Sequence, residues 1–172
     1  MIKGIFFAAL LLPACLFGQD SESSGRWRAW QFLSGEWVGE GSGGPGQGSG
    51  GFTIYPDLQN TILVRKNFAN YPATKDRPAY SHEDLMVIYY EKDVPQAIYF
   101  DNEMHVIHYR TEFSRDSNAV TFLSDLVASA PRYRLIYTKA GPETIRLTFD
   151  IAPADRPDAF SRYIDATARK KK

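Results

Sequence analysis

Apolar and polar residues alternate with a period of two along most of the chain between Trp37 and Ile151. The clearest run lies near the C-terminus, where the apolar positions are Ile145, Leu147, Phe149 and Ile151. Alternation of this kind places the apolar side chains on one face of a β-strand. Between Trp37 and Ile151 no segment has a helical period of useful length, so the pattern predicts an all-β fold.

The pattern divides into short strands separated by turn residues. The predicted strands are 61–68, 83–90, 96–100, 104–113, 120–123, 133–137 and 144–151. Asp-Asn at 101–102, Asp-Ser-Asn at 116–118 and Ala-Gly-Pro at 140–142 supply turn chemistry between them. Residues 160–164 fit either a helical turn or a closing strand, and we favour the strand because it would complete a barrel. This rhythm is typical of an up-and-down barrel or a sandwich.

The stretch that opens the folded part favours the barrel. Gly35, Trp37, Gly39 and Gly41 alternate, so they share one face of a strand on which Trp37 is the only large side chain. Such a strand lets a partner backbone come close while one indole fills the end of a core. We therefore predict that it is the first strand of a small closed β-barrel and that Trp37 is a core residue.

Two segments flank this strand. Trp27, Trp30 and Leu33 have a spacing near 3.6 residues, which predicts one or two helical turns over residues 26–33 that plug one end of the barrel. Residues 39–51 contain eight glycines. A phosphate-binding loop would end in Gly-Lys-Ser/Thr and lead into a helix, whereas a strand-like run follows here. The glycine-rich segment is therefore interpreted as a hairpin loop.

The N-terminus has the pattern of an export signal. Lys3 precedes an apolar run at 5–12 that is too short to span a bilayer, and Gly18 suits a cleavage site. Alternatively, residues 12–15 resemble a bacterial lipobox, in which Cys15 would carry a lipid anchor. Both interpretations predict an exported, periplasmic or secreted protein. The predicted organisation is a signal peptide (1–18), a linker with a helical turn (19–31) and a barrel domain (32–172).

Composition narrows the functional classes. Of 172 residues, 154 follow the predicted signal, enough for one domain with a core of its own. Cys15 is the only cysteine, so the mature domain has no disulfide, thiolate metal site or cysteine nucleophile. Without residues 1–18 the chain has 19 basic and 20 acidic residues, a balance that argues against nucleic acid as a partner. The basic cluster at 169–172 is interpreted as a solvated tail.

Residues 35–41, with the sequence Gly-Glu-Trp-Val-Gly-Glu-Gly, resemble the opening of calycin-type barrels. These include lipocalins, fatty-acid-binding proteins, nitrobindin-like haem barrels and uncharacterised exported bacterial relatives, which the stretches 101–109, 131–134 and 149–169 resemble most. The resemblance implies an up-and-down antiparallel barrel of about ten strands around a small apolar cavity. Nitrobindin-like members have a haem-ligating histidine near the C-terminus. This chain has none after His108, so no haem cofactor is expected, and Tyr163 is the only nearby residue able to ligate iron.

Few residues suggest catalysis or metal binding. Residues 81–84, Ser-His-Glu-Asp, are adjacent in sequence and do not resemble a hydrolase triad, and Gly-x-Ser-x-Gly is absent. His105 shares a strand face with Glu103 and lies near Asp101, but we interpret this group as a solvated hairpin end and predict no metal site. No catalytic residue is assigned. His108 is predicted to point into the barrel with Met104 and Val106.

Strand parity identifies candidate ligand-contacting residues in the barrel interior. They are Trp37, Arg65, Met86, Tyr99, His108 and Tyr133. The sequence therefore favours a non-catalytic barrel that binds a small hydrophobic or amphipathic molecule. Two alternatives stay open: an isomerase or hydrolase that uses an inward histidine or acid in the same cavity, and a filled barrel that acts through its surface. Neither a membrane span nor an oligomeric state is predicted.

Overall fold

The computed structural model describes residues 25–40 and 49–172. The predicted signal peptide, Cys15 and most of the glycine-rich loop lie outside the described residues. Those described form a short 3₁₀ helix, Arg28–Trp30, and ten strands. The strands are β1 (Gly35–Glu40), β2 (Ser49–Asp57), β3 (Ile62–Tyr71), β4 (Tyr80–Glu91), β5 (Val94–Asp101), β6 (Val106–Phe113), β7 (Ala119–Ser124), β8 (Arg132–Gly141), β9 (Thr144–Ala152) and β10 (Ser161–Lys170).

The strands close into one antiparallel barrel. Each strand pairs with its neighbours along the chain, and β1 pairs with β10, with Trp37 opposite Lys170 and Glu40 opposite Thr167. The predicted all-β, up-and-down barrel of about ten strands is confirmed. Closure leaves no unpaired sheet edge among these strands, which is how such barrels avoid edge-to-edge association.

Glycines at the seam between β1, β2 and β3 allow the backbones to approach closely. A Cβ atom on Gly51 would lie 2.3 Å from the carbonyl oxygen of Trp37, and one on Gly50 would lie 2.2 Å from that of Phe68. Both distances are far inside van der Waals contact, so no other residue fits at these positions without a backbone shift. The close approach expected at the glycines of β1 is present at Gly39, where a Cβ atom would lie 3.3 Å from the carbonyl oxygen of Gly50. Gly50 and Gly51, interpreted from the sequence as loop residues, belong to β2.

One end of the barrel is closed by the N-terminal segment. Trp30 and Leu33 are fully buried, and the ring centroid of Trp30 lies 4.9 Å from that of Phe113. Trp37, 2% exposed, donates a hydrogen bond from its indole nitrogen to the carbonyl of Leu33 at 2.8 Å and stacks on Phe52. The predictions that residues 26–33 plug the barrel and that Trp37 is a core residue are confirmed.

Two local predictions are wrong. Met104, predicted to begin a strand, is 91% exposed in a turn with φ of +70°, because Asp101 accepts hydrogen bonds from the backbone N–H groups of Glu103 and His105 and so holds a turn there. The basic cluster at 169–172 is exposed to solvent, as predicted, but it is not a free tail. β10 extends to Lys170, because β1 needs a partner to close the barrel, and Lys171 forms an ion pair with Glu36 at 2.7 Å.

Candidate ligand-binding cavity

The barrel contains a cavity of about 640 Å³ that opens at the end opposite the plug. Its wall is largely apolar and aromatic, since alternate residues of the strands point inward. The main apolar wall residues are Phe52, Ile107, Tyr109, Leu135, Leu147 and Phe149. Small residues of β10, Ala166 and Ala168, widen the opposite side. In residues 25–40 and 49–172, no helix has the length and hydropathy required to span a membrane.

A buried ion pair lies on the cavity wall. The guanidinium of Arg65 on β3 bonds to Asp84 on β4, and both side chains are only 4% exposed. The guanidinium lies 5.5 Å from the ring centroid of Phe52 and 5.8 Å from that of Tyr137. Burial lowers the pKa of Arg65, whereas Asp84 and the tyrosines around the guanidinium raise it, and the net shift is upward. Asp84 also accepts a hydrogen bond from Asn67 at 2.8 Å.

His82 connects this ion pair to a second group of polar side chains. Its Nε2 atom lies 3.4 Å from Asp84 and 3.1 Å from the hydroxyl of Tyr99, and its Nδ1 atom lies 3.0 Å from Glu103. Hydrogen bonding to Asp84, opposed by burial and supported by Glu103, raises the pKa of His82 to about 9. His82 is therefore an imidazolium at neutral pH, held by an acid on each side.

Asp101 and His105 complete the polar group near the open end. Asp101 accepts hydrogen bonds from His105 Nδ1 at 2.8 Å and from the Tyr99 hydroxyl at 3.2 Å. Burial raises the pKa of Asp101, but the hydrogen bonds and charge of His105, together with the backbone N–H of Glu103, lower it further, and the net shift is downward. The polar side chains thus form one connected network, which runs from Arg65 to His105.

The rim above this network is aromatic. Tyr71 and Tyr80 stack with ring centroids 5.1 Å apart, and the guanidinium of Arg77 lies 5.7 Å and 5.8 Å from their centroids. The Tyr80 hydroxyl donates to Glu103 at 3.1 Å. The rim therefore connects directly to the network inside.

The six residues predicted to contact a ligand divide into three groups. Arg65, Tyr99 and Tyr133 line the cavity. Trp37 and Met86 are buried in the packed core and are not among the lining residues. The predicted inward orientation of His108 is wrong: it is exposed on the outer face of β6, because Ile107 and Tyr109 are the residues of that strand that line the cavity.

Sequence reasoning missed His82 and misjudged Asp101. The strand predicted at 83–90 begins at Tyr80 in the structure, so His82 and Asp84 share the inward face with Met86. The signal was the alternation His-x-Asp-x-Met, paired with Arg-x-Asn on the preceding strand. Asp101, interpreted as part of a solvated hairpin end, has a side chain that is only 4% exposed. Among the described residues no group of three or more histidines and acids is arranged to hold a metal ion.

Comparison of the sequence with protein-family models finds no match, and comparison with curated proteins finds none either. Functional inference therefore depends on the geometry of the cavity.

Proposed function

We propose that this protein is an exported barrel of the calycin type that binds a small amphipathic molecule and does not transform it. The observation that carries the proposal is a cavity of about 640 Å³ with an aromatic wall and a buried polar network on one side. Cavities of about 300–1,000 Å³ with mostly apolar walls and a few fixed polar groups are typical of small-molecule sites. The same cavity argues against the alternative of a filled barrel.

The apolar wall and the polar network of the cavity both suit an amphipathic ligand. The apolar part would lie against Leu135, Leu147 and Phe149, whose burial by the ligand removes apolar surface from water. The polar part would face Arg65 and Tyr99, which are held in place by their hydrogen bonds and need no rearrangement. Preorganised polar groups of this kind orient a ligand at small entropic cost.

The polar network favours binding over catalysis. An enzyme in this cavity would need a histidine or acid able to exchange a proton at neutral pH. The pKa of His82, a partly buried histidine of the cavity wall, is raised to about 9, and both of its ring nitrogens lie near acids or a tyrosine hydroxyl. Asp101 has a lowered pKa and is saturated with donors. His82 therefore keeps its proton, and Asp101 keeps its negative charge, throughout the neutral pH range.

Export and the calycin assignment rest on sequence together with the fold. The apolar run at 5–12 after Lys3 supports export, with Cys15 as the alternative anchor. The Gly-x-Trp opening in β1 and a closed ten-stranded meander support the calycin assignment.

Haem is not included in the proposal. The resemblance that implies haem requires a histidine in the C-terminal part of the chain, and none follows His108. Both nitrogens of His82 are engaged, and His105, whose Nδ1 bonds to Asp101, is half exposed at the rim. These residues do not resemble a buried axial-ligand site.

Binding of the uncharged dye Nile red to the purified protein tests the proposal. We expect saturable binding of one dye per chain, and native mass spectrometry should recover an amphipathic passenger from protein purified without denaturation. Ala166→Trp places an indole in the cavity opposite Leu147 and should abolish dye binding. Val38→Trp, at an outer-face position that is 48% exposed, is the matched control and should bind normally. Equal binding by Ala166→Trp, or no saturable binding by the unmodified protein, would contradict the proposal.

A further inference from the structure

The hydrogen-bonding groups left over in the cavity define the chemistry of the ligand. Within the described part of the chain, every carboxylate that lines the cavity already accepts hydrogen bonds. Asp84 accepts from Arg65 and Asn67 and lies beside His82, while Asp101 accepts from Tyr99 and His105. Glu103 accepts from Tyr80 and lies 3.0 Å from His82. A ligand cation would therefore find no carboxylate without donors.

The unused groups are donors. Tyr109 is 2% exposed and lines the cavity, yet its hydroxyl makes no hydrogen bond within residues 25–40 and 49–172. Tyr133, which is only partly buried, also lines the cavity, and its hydroxyl has no partner among the described residues. Arg65 Nε is buried without an acceptor in the same part of the chain. Burial raises the pKa of Tyr109 and of Tyr133, so both hydroxyls keep their protons at neutral pH.

The charges that line the cavity balance. Apart from His105, the described lining residues contribute three cations, Arg65, Arg77 and protonated His82, and three anions, Asp84, Asp101 and Glu103. A ligand with a full negative charge would have to approach Asp84 with no net positive charge to offset its desolvation. An uncharged acceptor avoids that penalty and still uses the free donors.

We propose that the ligand head is an uncharged carbonyl, as in a ketone, ester or amide, whose oxygen accepts a hydrogen bond from Tyr109, with Tyr133 as a second donor. The inference rests on the proposed function, because it specifies the polar end of the molecule bound in the same cavity. The apolar body of that molecule occupies the aromatic part of the wall.

Three probes with alkyl chains of nine or ten carbons and different polar heads test the inference by titration calorimetry at neutral pH: methyl nonyl ketone, decanoate and decylammonium. The ketone should bind most tightly, with decanoate and decylammonium each at least about tenfold weaker. Tyr109→Phe removes one hydroxyl and keeps the ring, so ketone affinity should fall about fivefold to tenfold. Tyr55→Phe, at an outer-face position that is 50% exposed, is the matched control and should leave affinity unchanged.

The outcomes separate the inference from the proposed function. Tighter binding of decanoate or decylammonium than of the ketone would overturn the inference and leave a ligand-binding barrel. Unchanged ketone affinity in a variant that lacks both the Tyr109 and the Tyr133 hydroxyl would also overturn it. If none of the probes binds and the unmodified protein also fails to bind Nile red, the proposed function itself fails.

Discussion

The buried pair of Arg65 and Asp84 offers the sharpest test of how the cavity wall is held together. Asp84→Asn keeps the shape of the side chain but removes the negative charge beside a guanidinium that is 4% exposed. The variant therefore leaves a buried cation without its counter-charge. Breaking a buried pair in this way destabilises proteins by about 3–5 kcal/mol.

The surroundings set the expected magnitude within that range. At an effective dielectric constant of about 20, two charges about 4 Å apart interact by about 4 kcal/mol. The rings of Phe52 and Tyr137, at 5.5 Å and 5.8 Å from the guanidinium, retain part of the stabilisation through cation–π attraction of about 0.5–2 kcal/mol. We therefore expect Asp84→Asn to lower the free energy of unfolding by about 3 kcal/mol.

Urea denaturation followed by far-ultraviolet circular dichroism measures this change, with the denaturant slope checked for constancy. Asp93→Asn is the matched control, since its pair with Arg26 is exposed and should contribute less than about 1 kcal/mol. The double variant Arg65→Met with Asp84→Leu removes both charges and should be more stable than Asp84→Asn alone. A loss below 1 kcal/mol in Asp84→Asn would refute the buried pair.

Three further predictions follow from other parts of the molecule. The pKa of His82 in the folded protein, about 9, lies above its ordinary value of 6.5, so the stabilisation from protonated His82 is complete below pH 6.5 and is lost as the pH rises through 9. Between these pH values the free energy of unfolding should fall by about 2 kcal/mol more in the unmodified protein than in His82→Gln. Parallel pH profiles of the two proteins would contradict this prediction. Trp37→Ala, which removes a fully packed indole and its hydrogen bond to Leu33, should lower unfolding free energy by about 3–5 kcal/mol, and a loss under 1 kcal/mol would show that the indole is not packed as described. Hemin should give no sharp Soret band on titration, whereas a stoichiometric band abolished by His105→Ala would establish a haem site at the rim.

Alternation was sufficient to predict the fold of this protein. In β9 and β8 apolar residues recur every second position, and burial of one strand face requires that period. The glycines beside Trp37 in β1 predicted a close backbone approach, and a Cβ atom at Gly39 would lie 3.3 Å from the carbonyl oxygen of Gly50. The tighter contact at Gly51 was not predicted, because the sequence indicated a loop there. The spacing of Trp27, Trp30 and Leu33 predicted the plug, because residues about one helical turn apart lie on the same face of a segment.

The polar side of the cavity depended on tertiary structure. Arg65, Asp84, Tyr99 and Tyr109 come from four strands, and their contacts depend on the register between strands and on which face each strand turns inward. A shift of one residue reverses the face, which is why His108 was assigned inward and His82 was overlooked. Local sequence determines that side chains alternate along a strand. Which of the two faces points inward is decided only when the ten strands close around a shared core.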